Sequence, residues 1–402
     1  MHLYLHIDIT VKGMVMIPVA NVDNITIKCP AEGRFSFFNS PYIAHRTFTG
    51  IDIYPPSDFG ESAPSPVLGK VVMIRKIKCP KSGEFKASTY DYVILIKSIE
   101  NPCRIIKVLH VDPSIKVGDT VEPGQELGFL LRSGYFDFWT DPHIHVEIRK
   151  PEDPIRARGG LKLQSTLKMK DLKIKSESSL KGTVLTVKPE YLLILLEDNL
   201  RYGLTVKAGG YVGVIDGGIP HYGRFGVHIE RCSERVNYSQ LSQGASCFLD
   251  ESRSPSTQNA GLLRRDRFRR PRLKGWVTEV LASTGVTSGR PSPTQREWQK
   301  KGDTYASTCV STLPERNFPP TKLKGLEDVK LINASIGKLE EMYGNAAIAK
   351  CNMFSVYMRK IRVGLSLYVY PKRKPLIKVI PPKPFCLKLE EGETISISIT
   401  NA

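Results

Sequence analysis

Residues 141 to 155 read DPHIHVEIRKPEDPI, and the alternation in that stretch decides the fold of the first part of the chain. Side chains two apart in an extended strand share a face. His143, His145, Glu147 and Arg149 therefore point one way, while Ile144, Val146 and Ile148 point into a core. The turn formers of PEDPIRARGG at 151–160 then mark a domain edge. Upstream, VVMIRKI at 71–77, YVILIKSI at 92–99 and RIIKVLHV at 104–111 repeat the short β-type pattern, with Pro, Gly and Asn between the runs. This spacing predicts a mainly β, antiparallel domain over residues 17–155 rather than strands alternating with helices.

Past that edge the pattern changes twice. Residues 161–231 read as a second small β module, with KGTVLTVK, YLLIL and GVHIE paralleling GKVVMIRK, YVILI and HIHVE of the first. A degenerate repeat would set His228 against His145 and Gly226 against His143, so a copied site would have lost ligands. Residues 233–328 are rich in Ser, Thr, Arg, Pro and Gly without a period of 2 or 3.6, which predicts a basic, disordered linker. Residues 329–402 read as a small α+β region. There INASIGKLEEMYGNAAIAKC at 332–351 suits an amphipathic helix, and FSVYMRKIRVGLSLYVYP, PLIKVIPP and ETISISI suit strands.

Three segments carry residues suited to chemistry. HIHVEIR at 143–149 offers two imidazoles side by side on a rigid element. In HRTFTGIDIYPP at 45–56, Asp52 is the polar residue of an otherwise apolar strand. A carboxylate there needs a partner or a cation, because an unpaired buried ion costs several kcal/mol or more. His110 ends the strand before VGDTVEPGQELG at 117–128, whose alternating Val and turn-forming Gly and Pro suit a hairpin-rich module.

Taken in order, TGID at 49–52, LH at 109–110 with VGDTVEPGQELG, and HIHVEIR at 143–149 resemble the lysostaphin-like (LytM-type) zinc metalloendopeptidases. The resemblance covers about a third of the chain. It implies Zn2+ as cofactor, Asp52 and His145 as ligands, and His110 and His143 as the catalytic histidines that orient the attacking water and stabilise the tetrahedral intermediate. The family places its first metal-binding histidine four residues before the aspartate, where this chain has Phe48. His45, seven residues before Asp52, is the nearby substitute if the connection loops out by three residues. With His45 the site has the three protein ligands typical of catalytic zinc. The implied activity is hydrolysis of a peptide bond in a cell-wall-like or other peptide. A catalytically inactive, peptidase-like binding or regulatory module is the alternative that the Phe48 replacement raises.

Charge and cysteines bound the partners. Residues 1–155 hold 17 Lys and Arg against 18 Asp and Glu, leaving 41 against 22 for residues 156–402 of a chain with net charge +18. Any polyanion is therefore met by the C-terminal part. Its densest cluster runs from Arg264 to Lys274, with Phe268 and Trp276 as stacking groups for a nucleic acid. The eight cysteines form no C-x-x-C pair, so free thiols are expected. MHLYLHIDITVKG has neither the basic region nor the apolar stretch of a secretory signal, and starts at Met14 or Met16 would add none, which points to the cytoplasm. No apolar run approaches the roughly 20 residues of a membrane-spanning helix. VGDTVEPGQELG also suits a biotinyl- or lipoyl-type carrier, but Lys170 follows that segment where a carrier lysine should precede it.

Overall fold

A computed structural model describes residues 14–81, 85–174, 179–197, 200–229, 321–322, 327–384 and 386–401. The described chain is mainly β, with almost no helix. Its N-terminal part is built on a seven-stranded antiparallel sheet. The strands lie in the order Thr120–Val121, Gly69–Lys78, Tyr90–Ser98, Ile105–Leu109, Ile144–Arg149, Ile51–Tyr54 and Arg34–Ser36. The apolar alternation of 144–149 holds: Ile144, Val146 and Ile148 are all fully buried in a core that also takes Ile51, Ile53, Ile94, Ile96, Ile106 and Val108. The polar face of that strand is buried as well, with His145, Glu147 and Arg149 at 6%, 2% and 0% exposure. Removing three ionisable side chains from water on one short strand demands compensating partners.

The C-terminal strands close into two rings. In the first, Thr205–Ala208, Asp328–Leu331, Ala334–Tyr343, Ala346–Cys351, Arg224–Ile229 and Tyr211–Ile219 pair in sequence, and the last returns to the first. In the second, Ile361–Leu367, Phe354–Met358, Thr394–Asn401, Leu180–Val187, Leu192–Leu196 and Leu376–Ile380 do the same. The rings join where Gly217–Ile219 pairs with Leu365–Leu367. One continuous core fills them, from Leu180 and Ile194 through Phe225 and Val227 to Leu339, Val356 and Ile397.

This arrangement corrects two expectations. Residues 161–231 do not close a module by themselves, because their strands complete both rings only with strands from 328–401. The helix expected over 332–351 is instead a hairpin of Ala334–Tyr343 and Ala346–Cys351, so the C-terminal region is β and not α+β. The helix-like spacing there arises from register shifts opposite Ile336 and at Glu340. Such bulges break the period of two that marks a strand. Gly344, at a left-handed φ of 63°, turns the hairpin.

The suggested repeat is matched in one pair of strands only. Leu180–Val187 and Leu192–Leu196 form a hairpin as Gly69–Lys78 and Tyr90–Ser98 do. Arg224–Ile229, by contrast, pairs with Tyr211–Ile219 and Ala346–Cys351, not with that hairpin. Lys170 lies outside any hairpin, and Met169 beside it is buried. The basic linker, including Arg264 to Lys274, lies outside the described residues apart from 321–322 and 327–328. Cys29, Cys79, Cys351 and Cys386 are free thiols, whereas Cys103 departs from the expectation and is disulfide-bonded. Among the described residues no helix is long and apolar enough to cross a membrane.

Gly226 has a packing reason for standing where a repeat would carry a histidine. A Cβ built on it would overlap the Phe38 ring. Gly226→Ala should therefore displace Phe38 and lower stability by about 1–3 kcal/mol, read as a lower urea midpoint at unchanged slope.

Candidate metal centre

His45, Asp52 and His145 converge from three elements. His45 sits on the single helical turn Ile43–Arg46, Asp52 on Ile51–Tyr54 and His145 on Ile144–Arg149. His145 faces Asp52 directly in the antiparallel register. The three extra residues between His45 and Asp52 are absorbed by a reversal: Phe48 takes a left-handed φ of 61°, and the Thr49 amide returns to the Ala44 carbonyl at 2.9 Å. Phe48 itself is a core residue, edge-on to Phe38 with ring centroids 5.5 Å apart. Gly50 is required beside the site, since a Cβ there would lie 2.8 Å from the His145 ring.

The three donor atoms lie close enough together to hold one metal ion. His145 Nδ1 lies 2.8 Å from Asp52 Oδ1, His45 Nε2 is 3.2 Å from His145 Nδ1, and His45 Nε2 is 3.4 Å from Asp52 Oδ1. Tetrahedral ligands at bond lengths of about 2.0–2.2 Å stand roughly 3.3 Å apart, so only small adjustments are needed. All three residues are buried. Burial opposes ionisation of Asp52, yet His45 and His143 beside it hold its carboxyl well below the usual range. Burial likewise opposes protonation of His145, but hydrogen bonds to Asp52 and Glu147 outweigh it and raise the imidazole to about 9.

Each histidine of this trio is oriented through its other ring nitrogen. His45 Nδ1–H donates to the Phe37 carbonyl at 2.8 Å. His145 Nε2–H donates to Glu147 Oε1 at 3.2 Å, the carboxylate–histidine arrangement that fixes tautomers at metal sites. Glu147, on the same strand face, supports the site through His145. Burial opposes its charge, and Lys107 at 2.6 Å and Arg149 at 2.9 Å keep it ionised, with a pKa lowered to about 2.

The other two predicted histidines flank this group. His110 is fixed by Asp91, which accepts both its backbone N–H at 3.0 Å and its Nδ1–H at 2.6 Å. His143 Nδ1–H donates to the Asp141 carbonyl at 2.8 Å, and its ring stacks on Phe136. Burial pushes the His143 imidazole down to about 4. The two rings are 4.9 Å apart, and His143 Nε2 is 3.8 Å from Asp52 Oδ1. All five predicted residues are thus brought together. His228 is not among them; its Nε2 lies 3.0 Å from Asp216 Oδ2. Sequence reasoning missed Asp91 and Asp141, although Asp91 was visible as the carboxylate opening the apolar run YVILI.

Asp141 anchors the loop that delivers His143. Its carboxylate meets Arg34 at 2.7 Å, Lys378 at 2.8 Å and the Tyr368 hydroxyl at 2.8 Å. Arg34 in turn lies over the Tyr368 ring, 4.6 Å from its centroid.

Comparison with known proteins adds little beyond this geometry. Residues 25–165 match the family described as "Domain of unknown function (DUF8155) N-terminal domain". No curated protein and no solved structure matches the chain.

Burial opposes ionisation of Asp141, but Lys378 and Arg34 outweigh it and depress its pKa. The resulting stability is complete above the unfolded carboxylate value near about pH 4 and is lost as pH falls toward the folded one. Asp141→Asn should cost about 3–5 kcal/mol at neutral pH by leaving the buried Lys378 and the part-buried Arg34 uncompensated. Its loss of Tm on acidification below about pH 4 should be shallower than that of the wild type.

Proposed function

We propose that this chain is a zinc-dependent endopeptidase similar to the lysostaphin type, with His45, Asp52 and His145 as ligands and His110 and His143 as catalytic residues. The convergence of His45 Nε2, Asp52 Oδ1 and His145 Nδ1 within 3.4 Å of one another, flanked by two further oriented imidazoles, carries this reading. Zinc, when bound, supplies a lowered pKa for water and polarises the scissile carbonyl.

The remaining work falls to the chain. Nδ1 of His110 and Nδ1 of His143 are both engaged as donors, so each Nε2 presents a bare lone pair. Two such acceptors hold the protons of an attacking water and direct its lone pair at the carbonyl carbon. His110 is assigned the proton-accepting role, because the Asp91 carboxylate stands 2.6 Å from its Nδ1. His143, kept neutral by burial, orients. The proton on His110 Nε2 is then placed to pass to the leaving amine. The family resemblance suggests a cell-wall-like peptide with small residues at the cleaved bond.

The burial of the site favours a second reading, a peptidase-like module that binds without hydrolysing. His143 and His110 are only 6% and 9% exposed, which restricts approach of a peptide to both catalytic nitrogens.

Elemental analysis of the full chain beside His45→Ala tests the metal. One zinc per chain in the wild type and none in the variant is expected, and a wild type without zinc after supplementation refutes the proposal. His110→Ala and His143→Ala should each keep zinc but lose about 100- to 10,000-fold in hydrolysis of a glycine-rich peptide. Zinc retained by a wild type that cleaves no peptide would select the binding module.

A further inference from the structure

Asp216 lies on Tyr211–Ile219, the strand shared by the two C-terminal rings, and is fully buried. Its carboxylate accepts three hydrogen bonds: from the Phe37 amide at 2.8 Å, from the Ser36 hydroxyl, and from His228 Nε2 at 3.0 Å. The Ser36 hydroxyl oxygen in turn accepts the amides of Phe38 at 3.1 Å and Asn39 at 2.8 Å. The whole turn from Ser36 to Asn39 is therefore tied to this one carboxylate. The carbonyl of Phe37, at the centre of that turn, accepts Nδ1–H of the metal ligand His45.

We infer that Asp216 is a positioning residue for His45, acting through the backbone of Phe37. The inference rests on the metal-site reading above. His45 needs an external guide, because its helix is one turn long and has no side-chain cap. The Phe37 carbonyl selects the tautomer that leaves Nε2 bare and aims it at Asp52 and His145. Asp216 fixes where that carbonyl stands.

Packing alone does not account for the arrangement. His228 Nδ1 is buried without a hydrogen-bond partner among the described residues, in a box made by the rings of Phe35, Phe37 and Phe38. A carboxylate and a half-satisfied imidazole are costly occupants of such a place, and apolar residues would fill it better. What they provide is a fixed turn under a ligand. The C-terminal rings thereby complete a site whose donor atoms all come from the N-terminal sheet and its helical turn.

Zinc affinity of the full chain, measured by chelator competition, tests this with the isosteric Asp216→Asn. A loss of about tenfold is expected, within the range for residues that orient a metal ligand. Cobalt(II) in place of zinc should give the variant an altered visible spectrum. Ser36→Ala, which removes only the hydroxyl link, should show a smaller loss. Val227→Ala on the neighbouring strand should lower stability and leave affinity and spectrum unchanged. Wild-type affinity and spectrum in Asp216→Asn would overturn the proposal, as would an equal loss in Val227→Ala, since the effect would then follow stability. A wild type that binds no zinc removes the metal-site reading itself, and this inference with it.

Discussion

An antiparallel ladder in which His145 faces Asp52 on one side and Leu109 on the other leaves no freedom of register. Shifting Ile144–Arg149 by one residue would turn Ile144, Val146 and Ile148 out of the core and carry the imidazole to the opposite face. The apolar half of the strand thus sets the position of the polar half. The same ladder brings His110 near, because it directly follows Leu109. Hydrophobic burial here acts as the positioning device for a cluster of ionisable groups that would be unfavourable if built alone.

Those groups are made tolerable by layers of partners. His145 leans on Glu147, and Glu147 on Lys107 and Arg149. His143 leans on the backbone of Asp141, whose side chain is held by Arg34, Lys378 and Tyr368. His45 leans on Phe37, held by Asp216. Two of these chains of partners end in the C-terminal part, through Lys378 and Tyr368 and through Asp216, so the two parts of the chain are coupled by buried charge as well as by apolar contact.

The part of this legible in the sequence was the local part. Strict alternation in HIHVEIR and the position of Asp52 in an apolar strand singled out His143, His145 and Asp52; adding His110 and grouping all five was what the lysostaphin-type resemblance implied, with His45 supplied because insertion before a strand is cheap. Asp141 and Asp216 were not legible as supports, since they owe their roles to neighbours far away in the chain, whereas Asp91 showed only as a carboxylate opening an apolar run. The 332–351 hairpin was misread for a local reason: two bulges imitate a helical spacing of apolar residues. The interleaving of residues 179–229 with 328–401 could not be read from either segment, because each carries ordinary strand patterning and only their pairing is informative.

Closure of the C-terminal rings has a consequence for how the molecule is made. Arg224–Ile229 pairs on one side with Ala346–Cys351, more than a hundred residues later. Until that partner emerges from the ribosome, the earlier strand presents an unsatisfied edge, the kind of surface that recruits a second copy. Each residue added to the chain between the two strands prolongs the interval before the edge is covered. Variation in length between residues 230 and 327 should therefore be felt in the yield of soluble chain during synthesis.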